Sequence, residues 1–382
     1  MKYLLLIVFF CLFSLVVKPA LAVENPLAKP NNKVGIHILF QQEIQDAALL
    51  VNSSGGEWGY VVIPIQAGDR DLVKWQLFMD DARKHHLIPI VRLATEGDYF
   101  NTKVWRKPQP SDLLDFANFL DSLNWPVKNR YIIVFNEVNR SDEWGGTANP
   151  AEYADLLSYA VTAFKSVNQD FFIISSGMDN AAATVPGQAF NQYDYMRLMN
   201  EHVPNIFSQV DGLSSHSYPN PGFSSPPTNS SPMSISSYKY EQALAQSLSN
   251  KKLPIFITET GWSSAAISDD QRAEYYKTAF ETAWSDDSIV TVAPFLLKAG
   301  GGPFTVFSFI KEDGTPSKQY EALKNLPKVK GTPSVINVVL GTEIAADSIM
   351  PVKDFRTVED KKKGLFPITL AAQTAFRFMF GL

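Results

Sequence analysis

The sequence predicts an α/β chain folded as a (β/α)8 TIM barrel, with parallel strands and an active face at their C-terminal ends. Three observations predict it. Eight short apolar segments alternate with helix-like ones from residue 34 onward. Two of those segments, far apart in the chain, stop abruptly at a glutamate, Glu137 and Glu259. The alternative, a doubly wound open sheet, lacks its usual sign: no Gly-x-Gly-x-x-Gly turn follows the first strand, and Gly300-Gly301-Gly302 lacks the Lys-Ser/Thr of a phosphate loop.

Residues 34–40 are short and apolar, and 41–51 have helical spacing. The second strand, 60–65, leads to a helix ending at His86. The third, 87–93, leads to a helix over 111–123 that Ser111 is placed to cap. Residues 131–135 read Tyr-Ile-Ile-Val-Phe, apolar and β-branched or aromatic throughout, as in a strand buried on both faces. Pro150 sits in the first turn of a strong helix over 150–167. There follow strand 171–175 with a weaker helix 193–201, strand 210–215 with helix 236–250, strand 255–258 with helix 269–285, and strand 289–297. Glu137 and Glu259 then end strands four and seven. Their spacing fits about three βα units in a barrel of about 250 residues, and they face each other across its mouth.

The 382 residues, 45% hydrophobic, suffice for one large domain. The predicted division is a signal peptide over 1–22, a lead over 23–32, the barrel over 33–328 and a tail over 329–382. Lys2, an apolar run over 3–17 and then Ala20-Leu21-Ala22 have the order of a secretory signal, so export to the cell envelope or medium is expected. Cleavage after Ala22 is the first reading and a retained membrane anchor the second. Cys11, the single cysteine, lies inside this segment, so the mature chain has none. Loss of Lys2 and Lys18 makes the net charge of −5 more acidic still, which argues against a nucleic-acid partner. The run Lys361-Lys362-Lys363 reads as a solvated segment.

A carboxylate at the end of a buried strand is costly to keep charged unless it faces a solvated pocket. For either glutamate alone, an ion-paired strand end is an equal reading. Two opposed carboxylates are what glycoside hydrolysis requires, one to protonate the leaving oxygen and one to attack or to activate water. No metal or other cofactor is expected, since there is no His-Glu-x-x-His, no cysteine pair and no calcium-loop pattern.

Asn136-Glu137, Glu259 and His216-Ser-Tyr218 resemble the motifs of clan A of the glycoside hydrolases, the retaining (β/α)8 enzymes, with families 5 and 39 the nearest. The stretch from Asp313 to Tyr320 resembles the segment with which many members leave strand eight. The resemblance covers residues 33–326. It implies a carbohydrate substrate, Glu137 as general acid/base, Glu259 as nucleophile, Asn136 as donor to the sugar 2-hydroxyl and Tyr218 as partner of Glu259. One departure stands out: where the clan places a tryptophan at the end of strand eight, residues 293–298 read Ala-Pro-Phe-Leu-Leu-Lys. Either Phe295 takes that place or the strand has another register.

Loops after strands line the active face. Trp105, Trp144 and Trp262 follow strands three, four and seven and are candidates to stack on sugar rings, with ordinary loop packing as the alternative. Trp58 and Trp125 belong at the bottom, and Trp75 and Trp284 in the core. His37 ends strand one and His216 strand six, so both are candidates for the mouth; Tyr218 beside it favours His216. Arg92, buried by pattern in strand three, needs Glu137 or Glu259 as partner. Residues 219–232, rich in Ser, Pro and Asn, read as a mobile loop over the sugar or as a passive insertion. In the tail, 335–340 is strand-like, and 365–382 is apolar but holds Arg377, a poor membrane span. Packing on the barrel, interfacial membrane contact and a shortened extra domain all stay open for it. Three functions fit: a retaining glycosidase, a sugar-binding barrel without catalysis, and a transglycosylase using the same residues.

Overall fold

The computed structural model describes residues 23–96 and 103–336. The signal-like segment and the apolar segment 365–382 lie outside the described residues. Eight parallel strands run β1 Gly35–His37, β2 Gly59–Gln66, β3 Leu87–Ala94, β4 Arg130–Ile133, β5 Phe171–Ile174, β6 Leu213–His216, β7 Ile255–Glu259 and β8 Ile289–Val292. Pairing is continuous through β1–β5 and through β6–β8. Single bridges join the two sets, Ile174 to Gly212 on one side and Val34 to Val292 on the other, so the sheet closes into a barrel.

Alternation along each strand separates two apolar layers. Tyr60, Val62, Ile88, Ile90, Tyr131, Ile133, Phe172 and Phe256 point inward and fill the barrel. Val61, Ile63, Val91, Ile132, Ile173 and Ile257 point outward against the helices. Arg92 continues the inward row of Ile88 and Ile90 one step higher, which carries its guanidinium to the mouth.

The outer helices are α1 Ile44–Val51, α2 Leu72–Lys84, α3 Pro110–Asp121, α4 Pro150–Val167, α5 Gln192–His202, α6 Ile206–Gln209, α7 Ser237–Ser249, α8 Asp269–Glu281 and α9 Lys318–Asn325. Helix α4 has the predicted bounds, because Asn149 caps it and Pro150 opens it. Ser111 does not cap α3. That helix starts one residue earlier, and the Asp112 carboxylate accepts the Gln109 N–H at 2.7 Å. Strand β4 stops two residues short of its predicted end, because Phe135 and Glu137 take φ of 69° and 33°.

The bottom of the barrel is covered by the two ends of the described chain. Val23 and Leu27 pack against the inner layer beside Trp58, and Thr332 N–H donates to Pro30 O at 2.9 Å. Of the predicted strand 335–340 only 335 and 336 are described: Val335 pairs antiparallel with Val127, and Ile336 N–H donates to Pro126 O at 3.1 Å. Trp125 is buried against Phe171, and Trp75 and Trp284 lie among the helices.

The loop after β6 is tied down rather than loose. Ser225 O accepts from Trp262 Nε1 at 2.8 Å, Ser230 O from the Tyr240 hydroxyl at 2.9 Å and Pro232 O from the Tyr193 hydroxyl at 3.0 Å.

Candidate active site

Glu137 follows β4 on a strained turn. Two non-glycine residues with positive φ within three positions cost about 1–3 kcal/mol each, so their surroundings must hold them. Glu137 N–H donates to Gly177 O at 3.0 Å, and Glu137 O accepts from Arg140 N–H at 2.9 Å. Asn139, wholly buried, brackets the turn: its amide donates to Asp179 O and Phe190 O, and its Oδ1 accepts from Asp179 N–H. The result aims the Glu137 carboxylate into the mouth.

Glu259 meets it from β7. Arg92 Nη1 donates to Glu259 Oε1 at 2.8 Å and to Asn136 Oδ1 at 2.5 Å. The Tyr218 hydroxyl donates to the other Glu259 oxygen at 3.0 Å. Burial and the Glu259 charge push the Tyr218 phenol well above its ordinary range, so it stays protonated and remains a donor.

His216 stands between the two carboxylates, its Nδ1 3.0 Å from Glu137 Oε1 and 3.8 Å from Glu259 Oε2. Burial alone would lower this imidazole's pKa, but the Glu259 and Glu137 charges outweigh it and raise it. Gly177 is required behind it. A Cβ there would fall 2.2 Å from the His216 ring.

His37 lies deeper than the sequence suggested. It is wholly buried, with Nε2 3.6 Å from Glu259 Oε1 and neither ring nitrogen hydrogen-bonded. Burial, with Arg92 and His216 nearby, holds it well below its ordinary pKa, so it is neutral. It supports the floor under Glu259 rather than facing the opening.

Two of the three candidate tryptophan platforms are corrected by their burial. Trp144 is 1% exposed, its ring edge-on to Phe135 and Tyr153. Trp262 is 0% exposed, packed on Tyr276 and Trp284. Both rings are large and apolar and fold back between strand ends and helices, where burial is worth more than solvent contact. Trp105 alone is partly exposed. Where a tryptophan was expected after β8, Phe295 stands edge-on to His37 at 5.1 Å and joins Phe304 and Phe307 in a small aromatic cluster with Tyr218.

Sequence reasoning missed the residues around Glu137. Arg140 pairs with Asp142 at 2.7 Å and Asp179 at 3.3 Å and lies 3.9 Å from Glu137. Burial and Glu137 raise the Asp179 pKa. Asn139 and Arg140 follow the glutamate after Val138, and polar residues so close behind five apolar ones were the available signal.

An oxygen of Glu137, an oxygen of Glu259 and a His216 nitrogen lie within 4.8 Å of one another. A divalent cation placed among them would face the Arg92 guanidinium, which already occupies Glu259, so the donor set does not fit a metal.

The fold is a (β/α)8 barrel, the fold shared with solved glycoside hydrolase structures. The particular similarities are of shape. By sequence, the chain matches no family model and no curated protein. A family 39 glycoside hydrolase from the gut symbiont Bacteroides cellulosilyticus WH2 superposes with a TM-score of 0.51 at 17% identity, over 80% of this chain and 65% of that one. A GH39 β-xylosidase from Caulobacter crescentus gives 0.53 at 14%, over 80% and 72%. A GH5_18 variant from Streptomyces cattleya, in complex with Manβ1-4GlcNAc, gives 0.52 at 12%, over 74% and 73%. At these identities the likeness is one of fold. The chain spans about 65% of the length of the first of them.

Proposed function

We propose that this protein is a retaining glycoside hydrolase that cleaves a β-linked oligo- or polysaccharide by double displacement. The observation that carries the reading is the approach of Glu137 and Glu259 oxygens to within 4.8 Å. Retaining enzymes hold their carboxyl groups about 5–5.5 Å apart, whereas inverting ones leave roughly 6.5–9.5 Å for a water.

Glu259 attacks the anomeric carbon while Glu137 protonates the departing oxygen. The glycosyl ester so formed is opened by a water that Glu137 deprotonates, and Glu259 is released. Arg92 and Tyr218 fix both Glu259 oxygens, one each. Asn136 gives its carbonyl to Arg92, which leaves its amide N–H2 for a sugar hydroxyl. His216 shares a proton with Glu137 across 3.0 Å. A sugar hydroxyl in place of the water gives transglycosylation with the same residues. A barrel that only binds sugar has no need of a second carboxylate so close to the first. The charged, apolar and small-residue order of residues 1–22 supports action outside the cytoplasm.

The test is a pair of variants on any β-glycoside the protein turns over. Glu259→Ala loses turnover on every substrate and regains it with azide or formate. Glu137→Ala keeps activity on substrates with good leaving groups, and azide then captures the intermediate with retained configuration. Wild-type turnover that neither substitution affects would remove both glutamates from the reaction.

A further inference from the structure

Strand β6 breaks the apolar pattern of its neighbours. On β2, β4, β5 and β7 the residues that face the helices are Val61 and Ile63, Ile132, Ile173 and Ile257. After Leu213, the outward positions of β6 and its extension are Ser215 and Ser217, both wholly buried. Their hydroxyls meet at 2.7 Å. Ser215 Oγ donates to Glu241 Oε1 at 2.9 Å, and Ser237 Oγ donates to Ser217 Oγ at 3.0 Å. Glu241 and Ser237 belong to α7, outside the barrel, and both are buried too. A chain of hydroxyls thus runs from the start of α7 through Ser217 and Ser215 to a single carboxylate.

Every group in that chain has been taken out of water, and each is satisfied only while its partner keeps its place. Apolar residues, as on the neighbouring strands, would fill the same space without that demand. What the chain holds suggests why it is there. The alternate residues of the segment point into the mouth: His216 bonds Glu137 at 3.0 Å and Tyr218 bonds Glu259 at 3.0 Å, so residues 215–218 carry one contact to each glutamate. The sheet is irregular here, its register shifting from Ser215 opposite Ile257 to His216 opposite Glu259. Such a shift re-aims side chains and interrupts the ladder that would fix them. Two further ties grip the backbone, the Thr260 hydroxyl on Ser217 O at 2.6 Å and the Asn180 amide on Tyr218 O at 2.9 Å. Glu241 fixes the side chains on either side of His216.

We propose that Glu241 is a positioning residue of the active site: through Ser215 and Ser217 it sets His216 and Tyr218 against the two glutamates from outside the barrel. It touches no substrate. The kinetic part of the inference rests on the hydrolase reading, and the geometric part does not.

The test reads both parts. Long-range 1H–15N spectra of the protein, which has five histidines, show the protonation and bonding of the His216 ring, assigned by its absence in His216→Phe. Burial pushes the Glu241 pKa up to about 7, so at pH 6 it is mostly uncharged and Glu241→Gln keeps both its shape and its acceptor. At that pH Glu241→Gln should leave the His216 nitrogen shifts in place and kcat within about twofold of wild type. Glu241→Ala should move those shifts and lower kcat about tenfold, with KM unchanged because no substrate contact is lost. Should Glu241→Ala not fold, Glu241→Met combined with Ser215→Ala replaces both partners by apolar groups, which the fold tolerates better than a single orphaned group, and should show the same losses. His216 shifts and kcat that these replacements leave as in wild type would overturn the proposal, and so would equal losses in Glu241→Gln and Glu241→Ala. A wild type that turns over no glycoside, but whose His216 responds as described, keeps the positioning role without the hydrolase. Turnover with a His216 indifferent to Glu241 keeps the hydrolase and removes the positioning role.

Discussion

Arg92 is the residue on which the geometry of Glu259 depends most, and its replacement by lysine tests that dependence. One nitrogen, Nη1, serves both Glu259 and Asn136, at 2.8 and 2.5 Å. Lysine keeps the positive charge but presents it as a strongly hydrated point on a flexible stem, without the rigid plane that aims the two N–H groups of Nη1 at their acceptors. A hydrogen bond to a charged group contributes about 1.5–3 kcal/mol. If that bond aligns Glu259 for attack, its loss lowers kcat roughly 10- to 150-fold. Every substrate should suffer alike, activated or not, because each must pass through Glu259. Arg92→Met goes further: it removes the cation from a carboxylate that is only 9% exposed, and breaking such a buried pair costs about 3–5 kcal/mol of stability. Steady-state kinetics and urea midpoints of both variants supply the check. Arg92→Lys with kcat within twofold of wild type, or Arg92→Met with an unchanged midpoint, would refute the reasoning.

Three further outcomes are expected. Gly177→Ala drives a methyl to 2.2 Å from the His216 ring and must displace it, so kcat should fall at least tenfold while far-ultraviolet circular dichroism is unchanged; full activity would mean that His216 has room to move. Glu43 is buried after β1 with one oxygen unpaired, and burial raises its pKa from 4.5 to about 7. The folded chain holds that proton where the unfolded chain has lost it, so stability falls as pH rises from about 4.5 through about 7. Glu43→Gln should remove up to about 3 kcal/mol of the loss between pH 5 and pH 8, read from urea midpoints at both. N-terminal sequencing of exported protein should begin at Val23; an intact Met1 would replace release with anchoring.

The barrel was legible because its strands are continuous apolar runs and its helices carry caps and prolines at their starts. The paired glutamates were legible for the same reason, as the places where buried runs stop. Less legible was everything set by the turns. Phe135 and Glu137 take a left-handed backbone that their residue types do not announce, and Asn139, which holds it, acts through contacts to residues 179 and 190 far along the chain. Trp144 and Trp262 were placed on the correct face by topology. Topology gives the loop and says nothing of the rotamer, and both rings turn back into the core. The serine- and proline-rich loop looked free because composition is blind to its anchors. Phe223, within it, packs at 5.2 Å against both Tyr218 and Phe307 and so forms part of the wall beside Glu259.

The most direct test of the central claim is covalent trapping. The wild-type protein is incubated with mechanism-based epoxide analogues of β-glycosides in the xylo, manno and gluco series, digested, and mapped by mass spectrometry. The account predicts one label per chain, on Glu259, that Glu259→Ala abolishes and that a turned-over oligosaccharide slows. A label on Glu137 in its place, or no label from an analogue whose parent glycoside the protein hydrolyses, would contradict it.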